Sequence, residues 1–382
     1  MTEWREYKLK ELADFNPDSL TAKNKLEFIN YLDTGNITKG KIDTIQYLNL
    51  LTDKVPSRAK RIVKKNDIVY STVRPNQEHY GIIKNPVDNM IVSTGFVVLR
   101  SKEDKCYSDF LYYFLTLPEN TEYLSNVAED STTAYPSITP DIIMDMDISL
   151  PPLLEQKAIA EVLSSLDDKI DLLIRQNKTL EDLAQAYFRK WFIEDIHNKI
   201  CYKRFADVAE FSKGKKPREI IEEQRKGYVR QILIDTFDTD KEYYTRPEGM
   251  IISTETDILM VMDGASSGRV EIGFSGVVGS TIGMFRPKSD FKYPMFLYEF
   301  LKSNEEFIMD NTTGSAIPHA DKKLIFELEI PYFQEEKIQE FENFALVLFN
   351  KRQNNRRQIR TLTKLRDTLL PKLISGEIRV KM

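Results

Sequence analysis

The stretch Leu150-Pro-Pro-Leu-Leu-Glu-Gln-Lys157 returns later in the chain as Ile330-Pro-Tyr-Phe-Gln-Glu-Glu-Lys337. The offset between the two copies is 331 − 151 = 180 residues, close to half of the 382-residue chain. Proline cannot sit inside a helix and disfavours helix in the residue before it, whereas an acidic residue suits the first turn of a helix. The two stretches therefore predict the beginnings of two related helices.

The similarity continues on both sides of these stretches. Downstream, Thr179-Leu-Glu-Asp-Leu183 matches Thr361-Leu-Thr-Lys-Leu365 at an offset of 361 − 179 = 182. Upstream, Phe110-Leu-Tyr-Tyr-Phe-Leu115 resembles Phe296-Leu-Tyr-Glu-Phe-Leu301. Similarity at one long spacing indicates that a structural unit is repeated. We therefore expect two copies of one unit, each a globular domain followed by a long helix.

Both predicted helices carry apolar residues at heptad spacing, which is typical of a coiled coil. The first series is Ile159, Leu163, Leu166, Ile170, Leu173, Leu180, Ala184, Tyr187 and Trp191, and the second is Ile338, Phe341, Ala345, Leu348, Ile359, Leu362, Leu369 and Leu373. Asn177 interrupts the first series near its middle, and Arg352 and Asn355 interrupt the second. Antiparallel pairing would bring these polar residues level, where they would fix the register. A loosely packed seam at Asn177 would explain its interruption equally well.

The segments before the two helices mix short β-type runs with one helical run each, separated by loops rich in Gly, Ser, Thr and Asn. This pattern predicts an α+β fold with irregular strands. We predict a first domain at residues 1–150, a first long helix at 151–195, a second domain at 196–330 and a second long helix at 331–382. The two helices are predicted to pair as an antiparallel coiled coil.

Composition excludes several classes of protein. The chain is 41% hydrophobic and 30% charged, as in a globular protein, and its apolar runs are far shorter than the ~20 residues that span a bilayer. It has two cysteines and three histidines, with no CxxC or HExxH spacing. We therefore expect a cytoplasmic protein with no membrane partner, no metal site, no catalytic triad and no cofactor.

The net charge of −5 conceals two runs of basic residues, one in each copy of the repeat. One run at 54–65 carries six basic side chains, and the other at 213–218 carries four. A solvated surface is the ordinary explanation of a single run, but a run in each copy favours contact with nucleic-acid phosphates. The candidate phosphate contacts are Lys60, Arg61, Lys64, Lys213, Lys215, Lys216 and Arg218.

A polar loop accompanies each basic run, at 71–77 and at 263–269. Arg, Asn, Gln and Ser side chains hydrogen-bond to base edges, and glycine lets the backbone approach closely. The candidate base contacts are Arg74, Asn76, Gln77, Ser266, Ser267 and Arg269.

Catalytic motifs give little support for an enzyme. Pro140-Asp141 followed by Glu155-Gln-Lys157 is similar to a metal-nuclease signature, which needs two acids and a lysine around a metal ion. Here the second part falls in the first turn of a predicted helix, behind two prolines. This signature therefore gives little support for a nuclease site.

These residues together resemble the DNA-specificity subunits of type I restriction–modification systems over nearly the whole chain. The resemblance is most specific at residues 148–160 and 369–378, and it extends to 257–270 and 313–319. The first domain departs from the family pattern. Its loop at 67–75 lacks the glycines expected there, and Thr132-Thr-Ala-Tyr-Pro136 has alanine where glycine is expected.

The resemblance implies two target-recognition domains and a subunit that is not an enzyme. Such a subunit would read a split target in double-stranded DNA. It would also carry two adenine-N6 methyltransferase (modification) subunits and, through them, the restriction endonuclease subunit. The residues alone leave an alternative open, a coiled-coil adaptor with two protein-binding domains.

Overall fold

The computed structural model of the chain describes residues 4–21, 23–131, 136–194, 201–239, 241–314 and 316–381. The fold divides into two compact units, one of Met1–Lys169 with Leu362–Met382 and one of Ile170–Thr361. The predicted boundary between 195 and 196, and residues 132–135 of the first-domain turn quoted above, lie outside the described residues.

The first unit contains the first domain. Its strands are β1 (Arg5–Lys8), β2 (Ala13–Phe15), β3 (Phe28–Leu32), β4 (Ile37–Thr38), β5 (Lys41–Ile42), β6 (Gln46–Asn49), β7 (Ala59–Ile62), β8 (Ile68–Ser71), β9 (Tyr80–Ile82), β10 (Met90–Ser93), β11 (Phe96–Ser101) and β12 (Asp147–Leu150). Its helices are α1 (Leu9–Leu12), α2 (Ser108–Leu115), α3 (Pro118–Ser131), α4 (Pro140–Met144) and the first half of α5 (Leu153–Phe188). The strands form two four-stranded sheets, in the orders β6-β3-β10-β7 and β2-β11-β8-β9, and the pairs β1-β12 and β4-β5.

The second unit contains the second half of α5, which ends in a wider π-helical turn at Arg189–Glu194. Its strands are β13 (Cys201–Arg204), β14 (Ala209–Lys213), β15 (Val229–Ile232), β16 (Tyr243–Thr245), β17 (Ile252–Ser253), β18 (Ile258–Val261), β19 (Val270–Ile272), β20 (Gly276–Val278), β21 (Ile282–Pro287) and β22 (Glu329–Tyr332). Its helices are α6 (Phe205–Val208), α7 (Pro294–Ser303), α8 (Glu305–Asp310), α9 (Lys322–Glu327) and most of α10 (Glu335–Ile374).

The two domains share the topology of their four-stranded sheets, and only the pair β4-β5 of the first domain has no counterpart among the described strands of the second. The sheets of the second domain run β14-β21-β18-β19 and β16-β15-β20-β17, with the separate pair β13-β22. Each order matches its first-domain counterpart strand by strand. In both domains the central pair of one sheet is parallel, β3 with β10 and β15 with β20, whereas the remaining ladders are antiparallel. The predicted α+β fold with two copies of one unit is confirmed.

An ion pair with a buried carboxylate is also repeated. In the first domain, Arg100 donates through Nε and Nη2 to the two carboxylate oxygens of Asp67, at 2.8 and 2.7 Å. In the second, Arg286 binds Asp257 in the same way, at 2.7 and 2.6 Å. Both carboxylates are buried, and each precedes an inner strand, β8 or β18. Paired, bidentate geometry is what allows a carboxylate to be buried there.

In the first unit, both long helices contribute to the core of the domain. Leu163 of α5 belongs to the same buried apolar cluster as Phe110 of the domain and Leu370 and Leu373 of α10. Asp167 of α5 accepts hydrogen bonds from the hydroxyl of Tyr113 (2.7 Å) and from Arg366 of α10 (2.8 Å).

In the second unit, an aromatic cluster makes the equivalent connection. Phe188 of α5 packs edge to face on Phe296 of the domain and on Phe341 of α10, with ring centroids 5.4 and 5.5 Å apart. Phe192, in the π-helical turn, contacts the same two rings at 4.8 and 5.3 Å. The long helices are therefore part of each domain's core rather than a separate appendage.

The helices run antiparallel, because contact positions rise along α5 as they fall along α10. In the second unit, Asn355 Nδ2 donates to Asn177 Oδ1 at 2.9 Å. One turn further along α5, Glu181 pairs with Arg352 at 3.2 Å. The antiparallel coiled coil is confirmed. The polar residues that interrupt the heptads do meet, and their role in fixing the register stays a prediction.

The helix ends follow the sequence signals. Helix α5 begins at Leu153, directly after the two prolines. Helix α10 ends at Ile374, and Gly376 has a φ of +77°, a conformation that side-chain-bearing residues rarely adopt. Within the described residues, no helix is both long and apolar enough to cross a bilayer.

The hydrogen bond between Asn177 and Asn355 allows a test of what fixes the register of α5 against α10. Asn177→Leu should lower the free energy of unfolding by about 1–3 kcal/mol, because the buried Asn355 amide loses its partner. The double variant Asn177→Leu with Asn355→Leu should recover most of this loss, since both polar groups are then replaced. Urea unfolding gives the free energy of unfolding of the unsubstituted chain, the single variant and the double variant. The exposed Asn354→Leu serves as the control. Equal losses in the single and double variants would contradict the pairing role.

The Asp257–Arg286 pair gives a pH-dependent prediction. Burial raises the pKa of Asp257, but hydrogen bonds from Arg286 and Thr254 outweigh it and hold that pKa below its ordinary value of 3.8. The pair therefore stabilises the fold fully above about pH 4, and this contribution is lost as the pH falls through the lowered pKa.

Asp257→Asn should lower the free energy of unfolding by about 2–3 kcal/mol at pH 7, less than for a fully buried pair because Arg286 is partly exposed. The difference from the unsubstituted chain should shrink below pH 4. Urea unfolding from pH 3 to 8 measures it, with the exposed Asp290→Asn as control. A difference that does not vary with pH would show that the charge is not the cause.

Candidate nucleic-acid interface

In the first domain, the loop after β8 is fixed to two neighbouring segments by backbone hydrogen bonds. Thr72 N–H donates to the Gly95 carbonyl at 2.8 Å, and Arg74 N–H donates to the Pro136 carbonyl at 2.9 Å. Ile138 N–H donates back to the Thr72 carbonyl at 2.9 Å. We call residues 72–78 and 136–138 the first loop pair.

The second domain repeats this arrangement after β18. Met262 N–H donates to Thr281 O at 2.8 Å, Gly264 N–H to Pro318 O at 3.0 Å, and Ala320 N–H to Met262 O at 2.9 Å. We call residues 262–269, 313–314 and 316–320 the second loop pair. The two loop pairs have equivalent backbone frames, although the sequences that form them differ.

The first loop pair presents three of the candidate base contacts at the surface. Arg74, Asn76 and Gln77 are exposed, and Pro75 between them is buried. Arg74 has a φ of +49° and Glu78 one of +56°, so a non-glycine residue with left-handed backbone stands at each end of the short 3₁₀ turn Pro75–Gln77. Such conformations are costly and concentrate at binding sites.

One candidate base contact of the second loop pair, Ser267, has an internal role. Ser267 is only 2% exposed, and its hydroxyl lies within hydrogen-bonding distance of the Gly264 and Pro318 carbonyls, at 2.7 and 2.8 Å. This hydroxyl joins the two halves of the loop pair, so the structure does not support the base contact predicted for it. Ser266 is half-buried, and its base contact stays a prediction.

Arg269 is held by two carboxylates. It binds Asp238 through Nη1 and Nη2, both at 2.8 Å, and Glu271 through Nε and Nη2, at 2.9 and 2.8 Å. These hydrogen bonds, that of Asp238 foremost, raise the pKa of the guanidinium although burial opposes the shift. A base contact by Arg269 would compete with these ion pairs, and it stays a prediction.

The candidate phosphate contacts of the first domain lie on β7 and in the loop that follows it. Lys60 and Lys64 are exposed, and Lys64 pairs with Asp18 at 3.1 Å. Arg61 is half-buried, and burial lowers the pKa of its guanidinium. Lys60 and Lys64 are therefore the better placed of the three to meet a phosphate.

The candidate phosphate contacts of the second domain follow the end of β14. All four, Lys213, Lys215, Lys216 and Arg218, are exposed. Lys215 donates to the Gly249 carbonyl at 2.9 Å, and Lys213 pairs with Asp263 at 2.9 Å. The second ion pair places Lys213 beside the second loop pair.

The second loop pair also contains a side-chain pair that the sequence alone did not indicate. His319 Nδ1 lies 2.8 Å from one oxygen of Asp263, whose other oxygen binds Lys213. Asp263 and His319 lie in two stretches noted in the sequence of the second domain, 263–269 and 313–319. No other feature of the sequence indicated that the two side chains meet. Their separation of 56 residues conceals the contact.

The nuclease-like signature has a structural role. Asp141 lies on the short helix α4, and Glu155 is buried in the first turn of α5. Both oxygens of Glu155 accept hydrogen bonds from Arg379, through Nε and through Nη2, the latter at 2.6 Å. Among the described residues, no cluster of three or more His, Cys, Asp or Glu side chains could hold a metal ion.

Comparison with known proteins identifies the family. The family described as "Type I restriction modification DNA specificity domain" matches residues 1–182 and 197–355. The HindI specificity subunit of Haemophilus influenzae is 27% identical, with 99% of this chain and all of that protein covered. The MjaIX specificity subunit of Methanocaldococcus jannaschii is also 27% identical, over 99% of this chain and 94% of that protein.

A solved structure has the same fold. The type I restriction–modification S subunit from M. genitalium aligns with a TM-score of 0.63 and 18% identity, covering 99% of this chain and 96% of that one. Because the named relatives are specificity subunits, the prediction of a non-catalytic subunit is confirmed. The duplicated domains, the paired helices and the family match together place this chain in the type I restriction–modification DNA-specificity family.

Proposed function

We propose that this chain reads a split target in double-stranded DNA, with one domain for each half. We further propose that it carries two adenine-N6 methyltransferase subunits and, through them, the restriction endonuclease subunit. The observation that carries the DNA-reading part is the duplicated loop frame, because the same backbone arrangement presents different side chains in the two domains.

Equivalent positions of the two frames differ in chemistry. Arg74 and Gly264 each donate a backbone N–H to the facing proline carbonyl, so they occupy equivalent positions. One domain therefore has a guanidinium where the other has no side chain. A planar guanidinium suits guanine, whereas a glycine lets the backbone approach closely. Two domains with unlike side chains on one frame are suited to two unlike half-sequences.

Exposed lysines supply the part of the affinity that does not depend on sequence. Lys60, Lys215, Lys216 and Arg218 are exposed in the two domains. Basic side chains displace counterions from DNA, and the resulting affinity falls steeply with salt. The overall negative charge of the chain does not oppose this, since the basic residues are clustered.

The helices suit the roles of spacer and platform. Helix α5 has 36 residues and α10 has 40, which is more than a small domain core requires. We attribute the gap between the two half-targets to the paired helices α5 and α10. We propose that a partner covers exposed apolar side chains of each helix, such as Leu154 of α5, which is 72% exposed, and Val347 of α10, which is 68% exposed. A repeated chain offers equivalent surfaces to two identical subunits.

Arg74→Ala tests the reading of bases. Duplexes of random sequence are incubated with the full chain and the cognate methyltransferase subunit, and the bound fraction is sequenced. The variant should lose preference at one position of the target, with about 1–3 kcal/mol weaker binding to the preferred sequence. Lys216→Ala is the matched control, for which we expect a uniform loss at every sequence and a weaker salt dependence.

Two outcomes would contradict the DNA-reading proposal in different ways. A uniform loss in Arg74→Ala would make Arg74 a phosphate contact. If the unsubstituted chain selects no sequence, the alternative of a coiled-coil adaptor with two protein-binding domains is favoured.

The number of partners is tested by mass. Native mass spectrometry of the chain with an excess of the cognate methyltransferase subunit should give two such subunits for each copy of this chain, since the repeat offers two equivalent surfaces. A complex that saturates at one subunit would contradict the proposed scaffold without affecting the reading of DNA.

A further inference from the structure

We propose that His319 is a base-reading residue of the second domain and that Asp263 and Lys213 position it. This inference rests on the proposed function, because it assigns a reading group to a domain proposed to bind DNA. The site is the end of the second loop pair, where the segment at 313–320 meets the loop after β18.

The backbone around His319 is fixed while its side chain is exposed. His319 N–H donates to the Thr313 carbonyl at 2.7 Å, and Thr313 N–H donates to the His319 carbonyl at 2.8 Å. The next residue, Ala320, is bonded to Met262 of the facing loop. The imidazole nevertheless remains 49% exposed. A side chain on a fixed backbone loses little conformational freedom when it meets a ligand.

The carboxylate of Asp263 determines which ring nitrogen carries the proton. Burial raises the pKa of Asp263, but hydrogen bonds from Lys213 and His319 outweigh it and keep that pKa below its ordinary value. An ionised carboxylate only accepts hydrogen bonds, so Nδ1 of His319 must donate to it. In the neutral ring, Nε2 is then an acceptor.

A hydrogen-bond acceptor that enters a groove of DNA favours bases that present a donor there. In the major groove, adenine presents its N6 amino group and cytosine its N4 amino group as donors, whereas guanine presents two acceptors. A neutral His319 with Nε2 as acceptor therefore favours adenine or cytosine at the position that it contacts. Lys213, bonded to the other oxygen of Asp263 at 2.9 Å, holds the carboxylate in place and brings a positive charge to the same edge of the domain.

The first domain shows that this side-chain pair is not required by the fold. The bridge between Asp263 and His319 corresponds to the bridge between Val73 and Ser137 in the first loop pair. The side chain of Val73 has no hydrogen-bond acceptor, yet the backbone frame there is the same. The His319–Asp263 pair is therefore particular to the second domain, as expected of a group that distinguishes one half-target from the other.

The test uses sequencing of bound duplexes of random sequence, with the full chain and its variants. His319→Asn keeps a donor near the Nδ1 position and removes Nε2. We expect its preference at one position of the second half-target to fall about tenfold, which is in the range for loss of one base contact. Preference in the first half-target and at the other positions of the second half-target should be unchanged, and the latter shows that the second domain is folded.

His79→Asn is the matched control, because the Nδ1 atom of this first-domain histidine lies 2.7 Å from the backbone carbonyl of Ile37. The variant His79→Asn should leave the preference for the second half-target unchanged. Asp263→Asn is a second variant. The asparagine amide can donate as well as accept a hydrogen bond, so it no longer determines which ring nitrogen of His319 carries the proton. It should weaken preference at the same position as His319→Asn.

The outcomes separate the two hypotheses. If the unsubstituted chain selects no sequence, the proposed function fails and this inference fails with it. If it selects a split target that His319→Asn also selects in full, the inference alone is overturned. A loss spread evenly over both half-targets would equally overturn it, because His319 would then not be reading a base.

Discussion

The antiparallel packing of α5 against α10 is the constraint on which both units depend. Each domain's apolar core includes side chains from both helices, Leu163 and Leu370 in the first unit and Phe188 and Phe341 in the second. The first unit therefore needs residues from the end of the chain to complete its core. Because the core of the first unit combines residues 1–169 with residues 362–382, the two helices must pair before that core is complete.

We predict that buried polar groups on the helices favour one register over others. Besides the Asn177–Asn355 bond, Arg352 and Glu181 lie near Glu299 of α7, whose pKa is raised to about 8 by burial. Glu299 is therefore mostly protonated at neutral pH and needs no second cation. Such groups add little to stability compared with apolar residues, but a shifted register would leave them unpaired, which is costly.

The features that could be predicted from the sequence are those that depend on neighbouring residues or on a regular spacing. The beginning of α5, the heptads and the duplication are of this kind, so the sequence alone indicated each of them. The functions of the loop side chains could not be predicted in this way, because their partners are distant in sequence. Ser267 is bonded to Pro318 and Arg269 to Asp238, 51 and 31 residues away, so both resembled available side chains until the fold placed them.

The duplication separates what stabilises a domain from what it recognises. Asp67 with Arg100 and Asp257 with Arg286 keep the same geometry in both copies, and so do the backbone hydrogen bonds of the two loop frames. The exposed side chains on those frames differ between the copies. Because a change at the surface of a fixed frame breaks no buried contact, it costs little stability. A domain of this kind can therefore acquire a new target without a new fold.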